Sequence, residues 1–196
     1  MRTALTRPPT PAIARCELTY LERRPIDPAE AAAEHRALER ALAGLGCRVL
    51  RLPPLPDLPD AAFVEDVAVV LDEVAVVTRP GAASRRPETE GLDAVLAPFR
   101  PVRSIRPPGT LDGGDVLRTG RMLRVGRSRR TNADGIAQLR DAVRVFGYRV
   151  EPVNMRGCLH LRTAACALED DTLLVNPAWV DARALGDLAI VEVDAR

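Results

Sequence analysis

Lysine is absent. All 28 basic residues in this 196-residue chain are arginine, and against 27 acidic residues they leave a net charge of +1. A chain so close to neutral has no bulk field with which to attract a polyanion, so nucleic acid is not expected as a partner. The replacement of lysine by arginine, with abundant Ala and Pro, reads as compositional bias and carries no functional weight. Aromatic residues make up only 3%, so the core has to be built from Val, Leu, Ile and Ala. No apolar run approaches the roughly 18 residues of a membrane helix. Met1 to Pro9 contains no long apolar stretch of a secretory signal either, and the expectation is a cytoplasmic protein with no membrane partner. The four cysteines, Cys16, Cys47, Cys158 and Cys166, form no CxxC pair. That argues against a disulfide framework or a zinc site and for reduced, mostly buried thiols. What remains is ordinary for a globular chain: 46% hydrophobic and 28% charged residues, too apolar for disorder and sufficient for one domain or two small ones.

The apolar residues fall in short runs rich in Val: Val64 to Leu71, Val74 to Val77, Val116 to Leu117, Met122 to Val125 and Thr172 to Val175. Runs this short read as strands. Helical stretches lie between them. Pro28 to Leu45 begins with Asp27-Pro28, an N-cap followed by a first-turn proline, and stops at Gly44-Leu45-Gly46. Glu88 to Ala97 and Ala133 to Phe146 are expected to be helical too, the second introduced by Thr131-Asn132 and closed by Gly147. In order, these elements repeat as strand, tight turn, strand, arginine-containing loop, helix, strand. The recurrence is about 45 to 50 residues, the range of propeller and array folds. The predicted fold class is α/β, a pseudo-symmetric α/β propeller of ββαβ units. Residues 1–196 are expected to form a single domain with units near 1–59, 60–108, 109–157 and 158–196. The first is irregular: a loop around Glu17-Leu18-Thr19 stands where its second strand should be.

Chemistry-bearing residues stand at the unit starts. Glu65-Asp66 follows Phe63-Val64 in an expected strand, where alternation would aim one acid inward; an isolated acidic pair is more commonly a solvated edge. Leu111-Asp112-Gly113-Gly114-Asp115 places two glycines between two acids, which suggests close backbone approach or a turn with local side-chain hydrogen bonds. His160 is one of two histidines and lies in an expected apolar strand, where a satisfied core histidine is the bland reading. His35, the other, sits in the Ala/Glu/Arg helix and reads as surface or packing. Around a common axis these positions would converge, whereas in a linear array they would spread along one face.

Taken in order, the motifs are similar to a known pattern. They are Pro59-Asp60 with Phe63 to Asp66, Thr78 to Gly81 with Ser84-Arg85-Arg86, Pro108 to Leu117, Val125-Gly126, Ser128 to Asn132, and Leu159-His160-Leu161. The chain resembles the dimethylarginine dimethylaminohydrolases, within the superfamily that includes arginine deiminases and amidinotransferases. The resemblance implies a fold of ββαβ units around a central site and a small-molecule substrate, a methylated arginine. It implies that Asp66 and Asp112 hold the guanidinium beside Glu65, and that Arg85 and Arg130 bind the α-carboxylate. Asp60 and the backbone of Leu18 would receive the α-amino group. His160 would serve as general acid and base, and a Cys thiolate would attack the guanidinium carbon to give citrulline and a methylated amine. No metal and no cofactor are implied.

The family's nucleophilic Cys lies in the last unit, near the end of the chain. Here four units are counted, and one more of ~48 residues would bring the length to roughly 245. The expectation is therefore about four of five units, with the last unit and its nucleophile absent and the chain inactive alone. Its partners would be a homodimer mate or a complementing C-terminal fragment. Cys158, two residues before His160, would share its side of a strand and could have a lowered pKa. In-line attack from a neighbour of the base is nonetheless a poor geometry. Two alternatives stand beside this reading: an arginine deiminase-like or other guanidino hydrolase, and a non-catalytic remnant that grips arginine-like ligands or none.

Overall fold

The computed structural model describes residues 2–193. Met1 and Asp194 to Arg196, on which the expected end of the last unit falls, lie outside the described residues. The chain divides between Val64 and Glu65 into two compact units.

The first unit pairs β1 (Thr3–Thr6) with β2 (Arg48–Arg51) in parallel, Thr3 opposite Arg48 and Thr6 opposite Arg51. Between them the chain makes a 3-10 turn at Pro11–Arg15 and helix α1 (Pro28–Gly44). Asp27 caps α1 by accepting from the Ala29 N–H, proline follows it, and Gly46 ends the turn with φ of 81°. Among the described residues β1 pairs with β2 alone in a two-stranded sheet, and Glu17, Leu18 and Thr19 lie outside any strand.

The second unit repeats one pattern three times. β3 (Ala68–Val70) turns back antiparallel into β4 (Ala75–Val77), which then pairs in parallel with β5 (Val102–Ser104). β6 (Val116–Thr119), β7 (Met122–Arg127) and β8 (Arg149–Asn154) do the same. So do β9 (Ala165–Ala167), β10 (Thr172–Val175) and β11 (Ala189–Glu192). In each sheet the middle strand is the one flanked on both edges, and it carries deeply buried residues: Ala75 and Val76, Leu123 and Val125, Leu173 and Val175. The parallel return needs a helical crossover. This is α2 (Leu92–Leu96), α3 (Ala133–Val143) and a 3-10 turn at Ala182–Leu185 respectively. Two aliphatic clusters fill the spaces between elements. One spans the first two modules, from Val69 to Val150, and the other gathers Leu117, Val153, Leu161, Leu173 and Leu185.

Three expectations need correction. The helix expected over Glu88 to Ala97 is shorter: Glu88 and Thr89 end a 3-10 stretch at Ala83–Thr89, Gly91 takes φ of 73°, and the short α2 follows. Glu65-Asp66 is not in a strand: Val64–Asp66 is a 3-10 turn and β3 begins at Ala68. Nor is His160 in a strand; it is the extended residue before the single-turn helix α4 (Leu161–Ala164), and β9 follows that helix. In both places a turn, and not the alternation of a strand, sets where the side chain lies.

Candidate active site

Three turns of the second unit deliver one acid or imidazole each. Asp66 ends the turn at Val64–Asp66, and its carbonyl is fixed by the Thr78 hydroxyl at 2.8 Å. Its carboxylate accepts from the Gly114 N–H at 2.9 Å through Oδ1 and from Arg85 at 2.7 Å through Oδ2. Asp112, wholly buried, precedes the turn at Gly113–Asp115; its Oδ1 accepts from the Gly81 N–H at 2.9 Å, and its own N–H donates to the Thr131 hydroxyl at 3.1 Å. The two glycines between the acids are sterically required. A Cβ at Gly113 would lie 2.0 Å from the Glu65 carbonyl oxygen. One at Gly114 would lie 2.6 Å from Asp66 Oδ1 and 2.8 Å from the His160 ring.

His160 completes the cluster. Its Nε2 stands 3.7 Å from Asp66 Oδ1 and 4.0 Å from Asp112 Oδ2, and its Nδ1 stands 3.4 Å from Asp115 Oδ1. These are electrostatic contacts rather than formed hydrogen bonds. Asp112 Oδ2 and both ring nitrogens are buried without a hydrogen-bond partner among the described residues. Burial, reinforced by the Asp66 charge, pushes Asp112 up to about 6 against the pull of Gly81, His160 and Arg85. Burial would lower His160, but Asp115, Asp66 and Asp112 outweigh it and its pKa is raised. The fold thus holds an imidazole and a carboxyl, both raised above their ordinary values, 4.0 Å apart. Two acids so close together suit a cation with several N–H donors. The donor set, two carboxylate oxygens and one imidazole nitrogen within 4.8 Å of one another, would suit a divalent metal ion as well.

The other expected residues are placed as follows. Arg85 is buried, bridging Asp66 and Glu88, and its pKa is raised against the burial that would lower it. Arg130, also buried, has Nη1 3.6 Å from Asp112 Oδ2. Glu65 does not join the cluster. It lines a cavity of about 320 Å³ with Gly113, Arg118, Arg162 and Cys166, and neither Asp66, Asp112 nor His160 lines that cavity. Crowding by protein pushes the Glu65 carboxyl up, an effect that its solvent exposure tempers. Leu18 and Asp60 belong to the first unit. There Asp60 is buried and accepts from the Glu17 N–H with both oxygens, at 3.2 and 3.1 Å, next to the exposed Leu18.

Cys158 lacks the lowered pKa that a thiol close to His160 could have had. It faces the main chain, its Sγ 3.5 Å from the His160 carbonyl oxygen. Burial, and then the Asp115 charge, push its thiol up to about 11, the opposite of the activation a nucleophile needs.

No family model matches the chain. It is 42% identical over 185 residues to the N(G),N(G)-dimethylarginine dimethylaminohydrolase of Streptomyces coelicolor, covering 94% of this chain and 72% of the relative. The chain belongs to the dimethylarginine dimethylaminohydrolase family. The Pseudomonas aeruginosa member is 36% identical over 169 residues, covering 85% of this chain and 66% of its own length. A crystal structure of the Pseudomonas aeruginosa enzyme, a Cys-to-Ser variant complexed with citrulline, superposes with a TM-score of 0.92 at 34% identity, over 98% of this chain and 76% of that one. The chain therefore shares the mixed α/β fold of the dimethylarginine dimethylaminohydrolases and spans about two thirds to three quarters of their length. No helix among the described residues is long and apolar enough to cross a membrane.

The residue the sequence left without a role is Asp115. The sequence shows it only as the second acid of an acidic cluster; its closeness to the His160 ring arises from a turn and a loop brought together from distant segments.

Proposed function

We propose that this chain binds the guanidinium of an N-methylated arginine between Asp66 and Asp112, and that His160 moves the proton in its hydrolysis to citrulline and a methylated amine. One observation carries the reading: Asp112 Oδ2 is buried and makes no hydrogen bond, with Arg130 Nη1 at 3.6 Å and His160 Nε2 at 4.0 Å, and Asp66 Oδ1 stands 3.7 Å from the same ring nitrogen. Leaving an acid unsatisfied in a folded interior is costly, and a planar cation would complete it. Arg130, next to Asp112, is the nearer candidate for the α-carboxylate. Arg85 would have to share donors already given to Asp66 and Glu88.

In this reading a thiolate adds to the guanidinium carbon, and a C–S bond forms. The C–N bond to the methylated nitrogen then breaks as His160 Nε2–H protonates the departing amine. The neutral imidazole next takes a proton from water. The hydroxide adds to the amidino carbon, and the C–S bond breaks as the new hydroxyl gives its proton to solvent, releasing citrulline and the thiolate. None of the four cysteines is read as that nucleophile, and Cys158 least of all, given its raised thiol. The 196 residues are therefore read as binding without turnover, the thiolate having to come from outside them.

Isothermal calorimetry with Nω,Nω-dimethyl-L-arginine, paired with a colorimetric citrulline assay, tests this. Saturable binding without citrulline is expected. Absence of binding overturns the guanidinium site, and citrulline production lost in Cys158→Ser would overturn the assignment of the nucleophile.

A further inference from the structure

We infer that Asp115 is the positioning residue of His160, fixing which ring nitrogen carries the proton and leaving Nε2 as the end that works. The inference rests on the reading of His160 as the proton-transfer group. The geometry behind it is independent of any ligand.

Asp115 is fully buried, and every neighbour that defines it is a donor. Oδ2 accepts from the hydroxyls of Ser128 and Thr131, both at 2.6 Å. Oδ1 accepts from the Leu161 N–H at 3.1 Å and lies 3.4 Å from His160 Nδ1. Both oxygens thus act as hydrogen-bond acceptors. Because Leu161 follows His160 in sequence, one oxygen both holds the backbone after the histidine and faces the ring nitrogen. The two hydroxyls are anchored in turn. Ser128 Oγ accepts from the N–H groups of Arg130 and Thr131, and Thr131 Oγ1 accepts from the N–H of Asp112. One loop thereby sets Asp112, Asp115 and, through Asp115, His160 in a common frame.

The ring has little freedom within that frame. A Cβ on Gly114 would approach the ring atoms Cδ2 and Cγ at 2.8 and 2.9 Å, so the Gly114 backbone closes one face. The frame matters because Nε2 faces two carboxylates of its own, Asp66 and Asp112. Left to those alone, a neutral imidazole would carry its hydrogen on Nε2 and have no lone pair there for water. Asp115 supplies the competing acceptor at Nδ1. A neutral ring with Nδ1–H keeps the Nε2 lone pair for water, and a charged ring presents an Nε2–H to a departing amine.

The test is histidine nitrogen NMR on the 196-residue chain, with His35→Gln used to assign the two rings. Neutral His160 is expected as the Nδ1–H tautomer. Asp115→Asn, whose amide can turn an N–H toward Nδ1, is expected to convert it to Nε2–H and to lower its titration point by about a unit. Ser128→Ala, a milder change that keeps the carboxylate, is expected to retain the Nδ1–H tautomer and raise the titration point by a few tenths, because Asp115 then has one donor fewer. This second variant keeps the inference testable if Asp115→Asn does not fold. A purely structural Asp115 would shift the melting temperature and leave tautomer and titration unmoved. That result, or a neutral wild-type ring protonated on Nε2, overturns the inference. Calorimetry without binding, alongside the expected tautomers, would sink the proposed function and leave the positioning role standing.

Discussion

Glu39 in the first unit and Asp112 in the second are both buried acids, and the fold treats them in opposite ways. Glu39 is satisfied. Thr6 donates to it at 2.8 Å, Arg51 engages both of its oxygens and His35 stands at 3.3 Å. Its carboxyl is drawn down to about 2, chiefly by the hydrogen bonds from Arg51. Asp112 has one oxygen on a backbone N–H, the other without a hydrogen bond, and a carboxyl pushed up to about 6. Burial alone therefore does not mark a functional acid. What marks it is whether the protein has completed the acid's hydrogen bonds or left one acceptor for something else.

The most forceful way to break this comparison is Asp112→Asn. The amide keeps the acceptor for Gly81 and removes an incompletely paired buried charge, so stability at pH 7 is expected to stay level or rise by about 1 kcal/mol. Affinity for dimethylarginine, by calorimetry, is expected to fall about 10- to 100-fold, the worth of a charge-assisted contact. A loss of stability with affinity intact would make Asp112 a structural acid like Glu39.

The sequence makes one of these acids readable and leaves the other opaque. The ββαβ recurrence was legible because its signals are local: short β-branched runs, caps such as Asp27-Pro28 and Asn132, and helix-ending glycines. The acids and His160 were legible through motif order. The turn that aims Asp66 was not, because its supports are distant: the Thr78 hydroxyl and the backbone of Gly113, which only a glycine allows so close. Asp115 was visible as a letter and invisible as a role, since the Leu161 N–H it accepts is 46 residues away along the chain. Glu39 reads from sequence as one more exposed acid of an Ala/Glu/Arg helix. Only the strands beside the helix show otherwise.

Opposite treatment should also give opposite pH dependence. Glu39 falls from an ordinary 4.5 to about 2, so the unfolded chain takes up that proton first. Its stabilisation is complete above pH 4.5 and is lost as pH falls toward 2. Asp112 rises from 3.8 to about 6, so the folded state holds a proton the unfolded chain has released. Stability from this group declines as pH rises between those values, by up to about 1.4 kcal/mol per pH unit. His160, also raised, continues the decline at higher pH. Urea unfolding from pH 3 to 7 is expected to show a flatter acid limb in Glu39→Gln and a flatter decline above pH 4 in Asp112→Asn. The same change of slope in both variants would erase the distinction.

The finest contrast uses two threonines that each donate a hydroxyl to a buried acid, Thr6 to Glu39 and Thr131 to Asp115. Thr6→Val is expected to cost about 1 kcal/mol or less, since Arg51 remains on Glu39, and to leave the His160 NMR titration where it was. Thr131→Val should cost a similar amount, but its loss also reaches the site. Asp115 has one hydroxyl fewer to offset its charge, so His160 should titrate higher, and Asp112 loses the acceptor for its N–H. Equal costs with unequal effects on His160 would show that the two acids differ in what they are for, not only in how deeply they are buried. If both variants left the titration alone, the hydroxyls would be packing elements in both units, and the frame around His160 would have to be sought in the backbone of Gly114 and Leu161 instead.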